Sequence, residues 1–119
     1  MSHNLKLNYV EFPSRDLPAT KRFFEDAFSW TFIDYGPDYT AFNDQGLDGG
    51  FYKSDLVSNA TAGAALLVLK TENLEATQST VEKFGGTIST PIFSFPGGRR
   101  FHFIEPSGNE FAVWCLEDS

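Results

Sequence analysis

Residues 16–25 read DLPATKRFFE, and residues 73–82 read NLEATQSTVE, an offset of 57 in a chain of 119 residues. Each stretch opens on a capping residue, continues with Leu and an Ala-Thr pair, and follows an apolar run, so the recurrence marks a duplicated structural unit. Asp16 and Asn73 each carry a side-chain oxygen that can accept from the free N–H groups of a first helical turn, where Pro18 is tolerated. Leu17, Phe23, Phe24, Ala27 and Phe28 fall on one face of a helix over residues 17–28, with Lys21, Arg22 and Glu25 turned away. In the second copy Leu74, Thr77, Val81 and Phe84 share a face, and Gly85 and Gly86 stop the helix.

Strand signals surround both helices. LKLNYVEFP (5–13) alternates, with Leu5, Leu7, Tyr9 and Glu11 on one face and Val10 and Phe12 on the other. WTFIDYG, YTAFND and DGGFYK follow the first helix, separated by turn formers, and predict an antiparallel meander. AALLVLK precedes the second helix; TISTPIFSF, RRFHFIEP and EFAVWCLE follow it, with Pro91 marking an edge or a bend. The reading is an α+β fold of two βαβββ modules in one domain over 1–119: module one about 5–53, a polar linker about 54–63, module two about 64–116. Two equivalent sheets facing one another would enclose a cleft. The glycine doublets at 49–50, 85–86 and 97–98 lie in turns and helix ends, outside the strand-GxGxxG-helix setting of a phosphate cradle.

Composition narrows the function. The net charge is −7, and no basic cluster exceeds Arg99 and Arg100, so a nucleic-acid partner is not expected. No apolar stretch approaches the roughly 20 residues of a membrane span, and the N-terminus lacks a long apolar signal segment, which predicts a cytoplasmic protein. Cys115, the only cysteine, falls in the apolar run FAVWCL and reads as a buried thiol. Thirteen Phe predict a ring-rich interior and rings on any concave face.

A repeated βαβββ unit with VEFPSRDLPATKRFFEDAFSW at its opening and EPSGNEFAVW at its close resembles the vicinal oxygen chelate superfamily. That superfamily includes glyoxalase I, bleomycin and fosfomycin resistance proteins and extradiol dioxygenases. The resemblance runs from about Leu5 to Trp114, with Glu105 where Asp is commoner. It implies paired sheets around a ligand cleft and, in metal-dependent members, ligands at positions that fall here on Tyr9, Leu66, near Phe51, and Ala112. None of these is a good donor for a divalent ion, which needs three or four imidazole, carboxylate or thiolate groups converging on one point. No metal and no cofactor are therefore expected.

The expected ligand site consists of Tyr9, Glu11, Phe51, Phe101, Phe103, Glu110, Ala112 and Trp114, taking a small, partly aromatic or cationic molecule. Rings would stack on it, and Glu11 or Glu110 would hold a polar or cationic group. The alternative is a metal-dependent lyase, isomerase or dioxygenase rebuilt around Glu11 and Glu110, with Asp48 or His102 assisting. His3 lies too near the terminus to support ligation. Pairing Glu105 with Glu110 across the PSGN turn sets Phe103 opposite Ala112 and Phe101 opposite Trp114, and sends His102 with Val113 to the helix-covered face; one extra loop residue would invert that register. No nucleophile–base set has supporting context. The resemblance further implies a homodimer.

Overall fold

The computed structural model describes residues 5–117. His3 lies outside them. The first half contains β1 (Tyr9–Ser14), α1 (Leu17–Phe28), β2 (Phe32–Asp34), β3 (Tyr39–Phe42) and β4 (Asp48–Lys53). The second contains β5 (Leu67–Lys70), α2 (Leu74–Lys83), β6 (Thr87–Phe95), β7 (Gly98–Ile104) and β8 (Glu110–Leu116), after a connection with one 3₁₀ turn at Ala60–Ala62. The two βαβββ modules are thus present, as sheets ordered β1-β4-β3-β2 and β5-β8-β7-β6. Each sheet is mixed: β1 runs parallel to β4 and β5 to β8, while the meander pairs are antiparallel. No helix of the described residues is long and apolar enough to cross a membrane.

Both expected caps form. Asp16 Oδ1 accepts from Ala19 N at 3.1 Å, and Asn73 Oδ1 accepts from Ala76 N at 3.0 Å. Pro91 sits on the edge strand β6, where the pairing with β7 slips between Thr90 and Phe93. A missing backbone donor is tolerated at such a place.

The ring-bearing faces of the two sheets contribute to a shared core. Phe12 of β1 lies 5.0 Å from Phe111 of β8, and α1 bridges the halves: Phe24 reaches Phe51 at 5.7 Å and Phe111 at 5.3 Å, and Phe23 reaches Phe103 at 5.7 Å. One hydrophobic core therefore serves both halves. Rings from both sheets supply this core, and a cleft remains between the halves beside β1 and β5. The polar faces, bearing Tyr9 and Glu11 on one sheet and His102 and Glu110 on the other, lie on the opposite sides of those sheets.

A buried polar knot joins the halves. Glu105, 1% exposed, accepts from Thr20 Oγ1 at 3.0 Å, Ser107 N at 2.9 Å, Ser107 Oγ at 2.6 Å and Asn109 N at 3.3 Å. Asn109 Nδ2 donates to Pro13 O at 2.6 Å, and its Oδ1 accepts from Ser58 N. The closing turn thus ties α1, β1 and the connection between modules to one loop.

Candidate functional site

The knot also decides which side chains reach the outer face of the second sheet. Because the Glu105 carboxylate turns back to take the loop's own N–H groups, residues 105–109 all belong to the turn and Ile104, not Glu105, pairs with Glu110. The expected register is therefore off by one. Phe103 faces Phe111, Phe101 faces Val113, and His102 faces Ala112. Phe101 and Phe103 lie in the shared core at 0% exposure, so their expected place at an open ligand site is corrected, and His102 moves from the helix-covered face to the outer one. Phe51 is corrected likewise: it stands opposite Phe12, stacks on that ring at 5.3 Å and is 0% exposed. Glu110, Ala112 and Trp114 share the outer face with His102, Ala112 being fully covered there.

Tyr9 and Glu11 occupy the outer face of the first sheet. Tyr39 Oη donates to Glu11 Oε2 at 2.9 Å, which uses its only proton, so Tyr9 Oη donates to Tyr39 Oη at 2.6 Å. Gly50 makes this possible, since a Cβ there would run into the Tyr39 ring. Burial pushes the Tyr39 phenol up, with the hydrogen bonds to Tyr9 and Glu11 adding to it.

The cleft that does exist lies where the core parts beside β1 and β5. It has a volume of about 390 Å³ and is walled by Val10, Phe12, Trp30, Phe42, Leu67 and Phe111, with Lys70 at its rim. Trp30 stacks on Phe24 at 4.6 Å and lies 4.7 Å from Phe42, so the wall is stiff. A second space of about 380 Å³ shares Val10, Phe12 and Leu67 with it and extends to Glu11. The two spaces border the β1–β5 seam, the first walled by rings and the second bearing the Glu11 carboxylate. The alternation of residues 9–12 already places Val10 and Phe12 apart from Tyr9. What it lacks is any signal that this ring-bearing face borders the cleft.

A repeat of this order, with this pairing in each half and an aromatic cleft between halves, can be compared with known proteins. Residues 6–113 match the family model of the Glyoxalase/Bleomycin resistance protein/Dioxygenase superfamily. The chain belongs to this superfamily. Among solved structures, a glyoxalase-related enzyme from Fulvimarina pelagi superposes with a TM-score of 0.78 at 16% identity, covering 93% of this chain and 88% of its own. A family enzyme from Burkholderia phytofirmans gives 0.76 at 16% identity, with 93% and 98% covered. A genomically encoded fosfomycin resistance protein from Listeria monocytogenes gives 0.75 at 16% identity, with 92% of each chain covered. At these identities the likeness concerns the fold. No match was found among curated proteins.

The superfamily's divalent ion can be tested against the residues present. Among the described residues no three His, Cys, Asp or Glu side chains converge as a metal site. Glu11 is engaged by Tyr39, whereas Glu110 accepts from Ala60 N at 2.9 Å and Ser89 Oγ at 3.1 Å, so the two carboxylates stand on different sheets with separate partners. The described residues therefore do not offer the donor set that such an ion requires.

Proposed function

We propose that the chain binds a small molecule with an aromatic part and a cationic group in the cleft beside the β1–β5 seam. The observation that carries this is the ring-walled cleft of about 390 Å³, next to which a second space of about 380 Å³ reaches Glu11. Its size falls within the roughly 300–1,000 Å³ of small-molecule sites, and apolar walls with few polar groups are the usual composition of one. Trp30 and Phe42 offer edges to a flat ligand, with Phe12 and Phe111 backing the wall, while Glu11 offers a carboxylate to an ammonium or guanidinium. Relatives named for fosfomycin or bleomycin resistance support a role in taking up a foreign or metabolic small molecule.

The chain contains two tryptophans, Trp30 and Trp114. Trp114→Phe leaves Trp30 as the only indole, so its fluorescence reports the cleft. Arylalkylamines titrated into that variant should quench Trp30 saturably, with or without chelator. Val10→Phe, which fills the cleft, should remove the response, and Glu11→Gln should weaken the amine but not its neutral analogue. Quenching that survives the filled cleft, or is abolished by chelator, would overturn the reading.

We also propose a homodimer, supported by the exposed apolar side chains Ile33 and Tyr35 on and beside β2. Light scattering on the eluting protein should give twice the 13.3 kDa chain mass. A constant monomer at micromolar concentration would contradict it.

A further inference from the structure

The outer face of the second sheet carries Phe95, Arg100 and Trp114, which lie outside the set that walls the aromatic cleft, beside Val68 and Lys70, which border both. Register sets Arg100 beside Trp114, and the bulged β6 brings Phe93 to Arg100 and Phe95 to Gly98. The Arg100 guanidinium lies 5.5 Å from the Phe93 ring and 5.8 Å from the Phe95 ring. It donates from Nε at 3.2 Å and from Nη2 at 2.9 Å to His102 Nε2. A guanidinium can only donate, so Nε2 holds a lone pair and the imidazole proton sits on Nδ1, which faces Glu110 Oε2 at 3.6 Å. Glu110 is fixed in turn by Ala60 N and Ser89 Oγ. The chain Glu110–His102–Arg100 thus aims one guanidinium across the face. Among the described residues no carboxylate stands within ion-pair distance of Arg100.

Trp114 has a second cation at its other side, with Lys70 Nζ 5.3 Å from its ring centroid. A depression of about 230 Å³ lies between, walled by Val68, Phe95, Arg100 and Trp114. We propose that it binds a small planar aromatic carboxylate. The ligand ring lies against Trp114, Phe95 and Val68, and its carboxylate takes the N–H groups of Arg100, with Lys70 adding positive charge. Arginine suits this because its flat fork matches a carboxylate bidentately and two phenyl rings restrict its motion. The volume is below that of drug-sized sites and so favours a single ring. An ammonium ligand would meet two like charges. The net charge of −7 opposes an anion only at long range, where salt screens it beyond about 8 Å. His102 is a positioning residue: it holds the guanidinium by one edge and gives that edge up, at least in part, when the carboxylate arrives.

Trp30→Phe leaves Trp114 as the reporter, which separates this site from the cleft: either may fail without the other. Benzoate is the probe, with benzamide and benzylamine as neutral and cationic controls. Benzoate should quench Trp114 saturably and bind roughly tenfold or more tighter than either control, the worth of one charge-assisted contact. Arg100→Gln should erase that preference, Arg100→Lys should restore part of it, and Lys70→Gln should weaken benzoate while leaving β7 untouched. In the wild-type protein the ¹⁵N signal of His102 Nε2 should move on adding benzoate and stay put with benzamide. Equal responses to benzoate and benzamide, undiminished affinity in Arg100→Gln, or no saturable change in either fluorescence or ¹⁵N shift would each overturn the proposal.

Discussion

Glu105 shows how much one side chain decides. Its carboxylate receives four donors in a buried setting, so Glu105→Ala leaves hydroxyl and backbone N–H groups without an acceptor. The expected loss is about 3 kcal/mol of stability, measured from the urea midpoint. Glu105→Gln should recover only part of it, because one amide group presents hydrogens where oxygen accepted. Tyr39 gives a second prediction. Its phenol is raised above the ordinary 10.0 in the folded chain, so above that pH the folded state keeps a proton that the unfolded state releases. Stability supplied by the protonated phenol is complete below the ordinary value and is lost as alkalinity increases through the folded one. Absorbance titration should show Tyr39 as the last tyrosine to ionise, and Tyr39→Phe should flatten the alkaline decline in stability. Glu105 was visible in the sequence as part of a turn motif; its inward course was not, since a carboxylate in a loop has no periodicity to betray its direction.

At the level of elements, cap chemistry and alternation carried most of the reading. Asp16 and Asn73 cap where an acceptor before an amphipathic run should cap, and Asp16→Ala should cost about 1 kcal/mol with an unchanged dependence on urea. Registers are another matter. Side chains alternate with period 2, so assigning Glu105 to β7 rather than to the turn moved Phe101, Phe103 and His102 to the wrong faces together. The outer-face set of Arg100, His102 and Glu110 was hidden by that single residue of loop length. Tyr9, Glu11, Glu110 and Trp114 needed no such count, each being placed by its own strand's alternation.

For the whole molecule, the duplicated stretch made the architecture legible, while the way the halves meet was not. Alternation says that a sheet has an apolar face; it does not say whether that face covers its own helix or joins a core shared with the other sheet as well. Phe24 touches rings of both halves, so Phe24→Ala should cost about 4 kcal/mol, and both halves should still melt in one transition when followed by tyrosine and by tryptophan signals. Separate transitions would show two cores. The copies are nevertheless unequal: α1 buries Leu17, Thr20, Phe23 and Phe24, whereas α2 buries only Leu74 and Val81. Under native-state amide exchange, α2 should therefore open as a small cooperative unit well before α1, whose protons should exchange only with global unfolding. The repeated unit thus has one helix that is the keystone and another that can be spared for a moment, which would give the second module a freedom of internal motion that the first lacks.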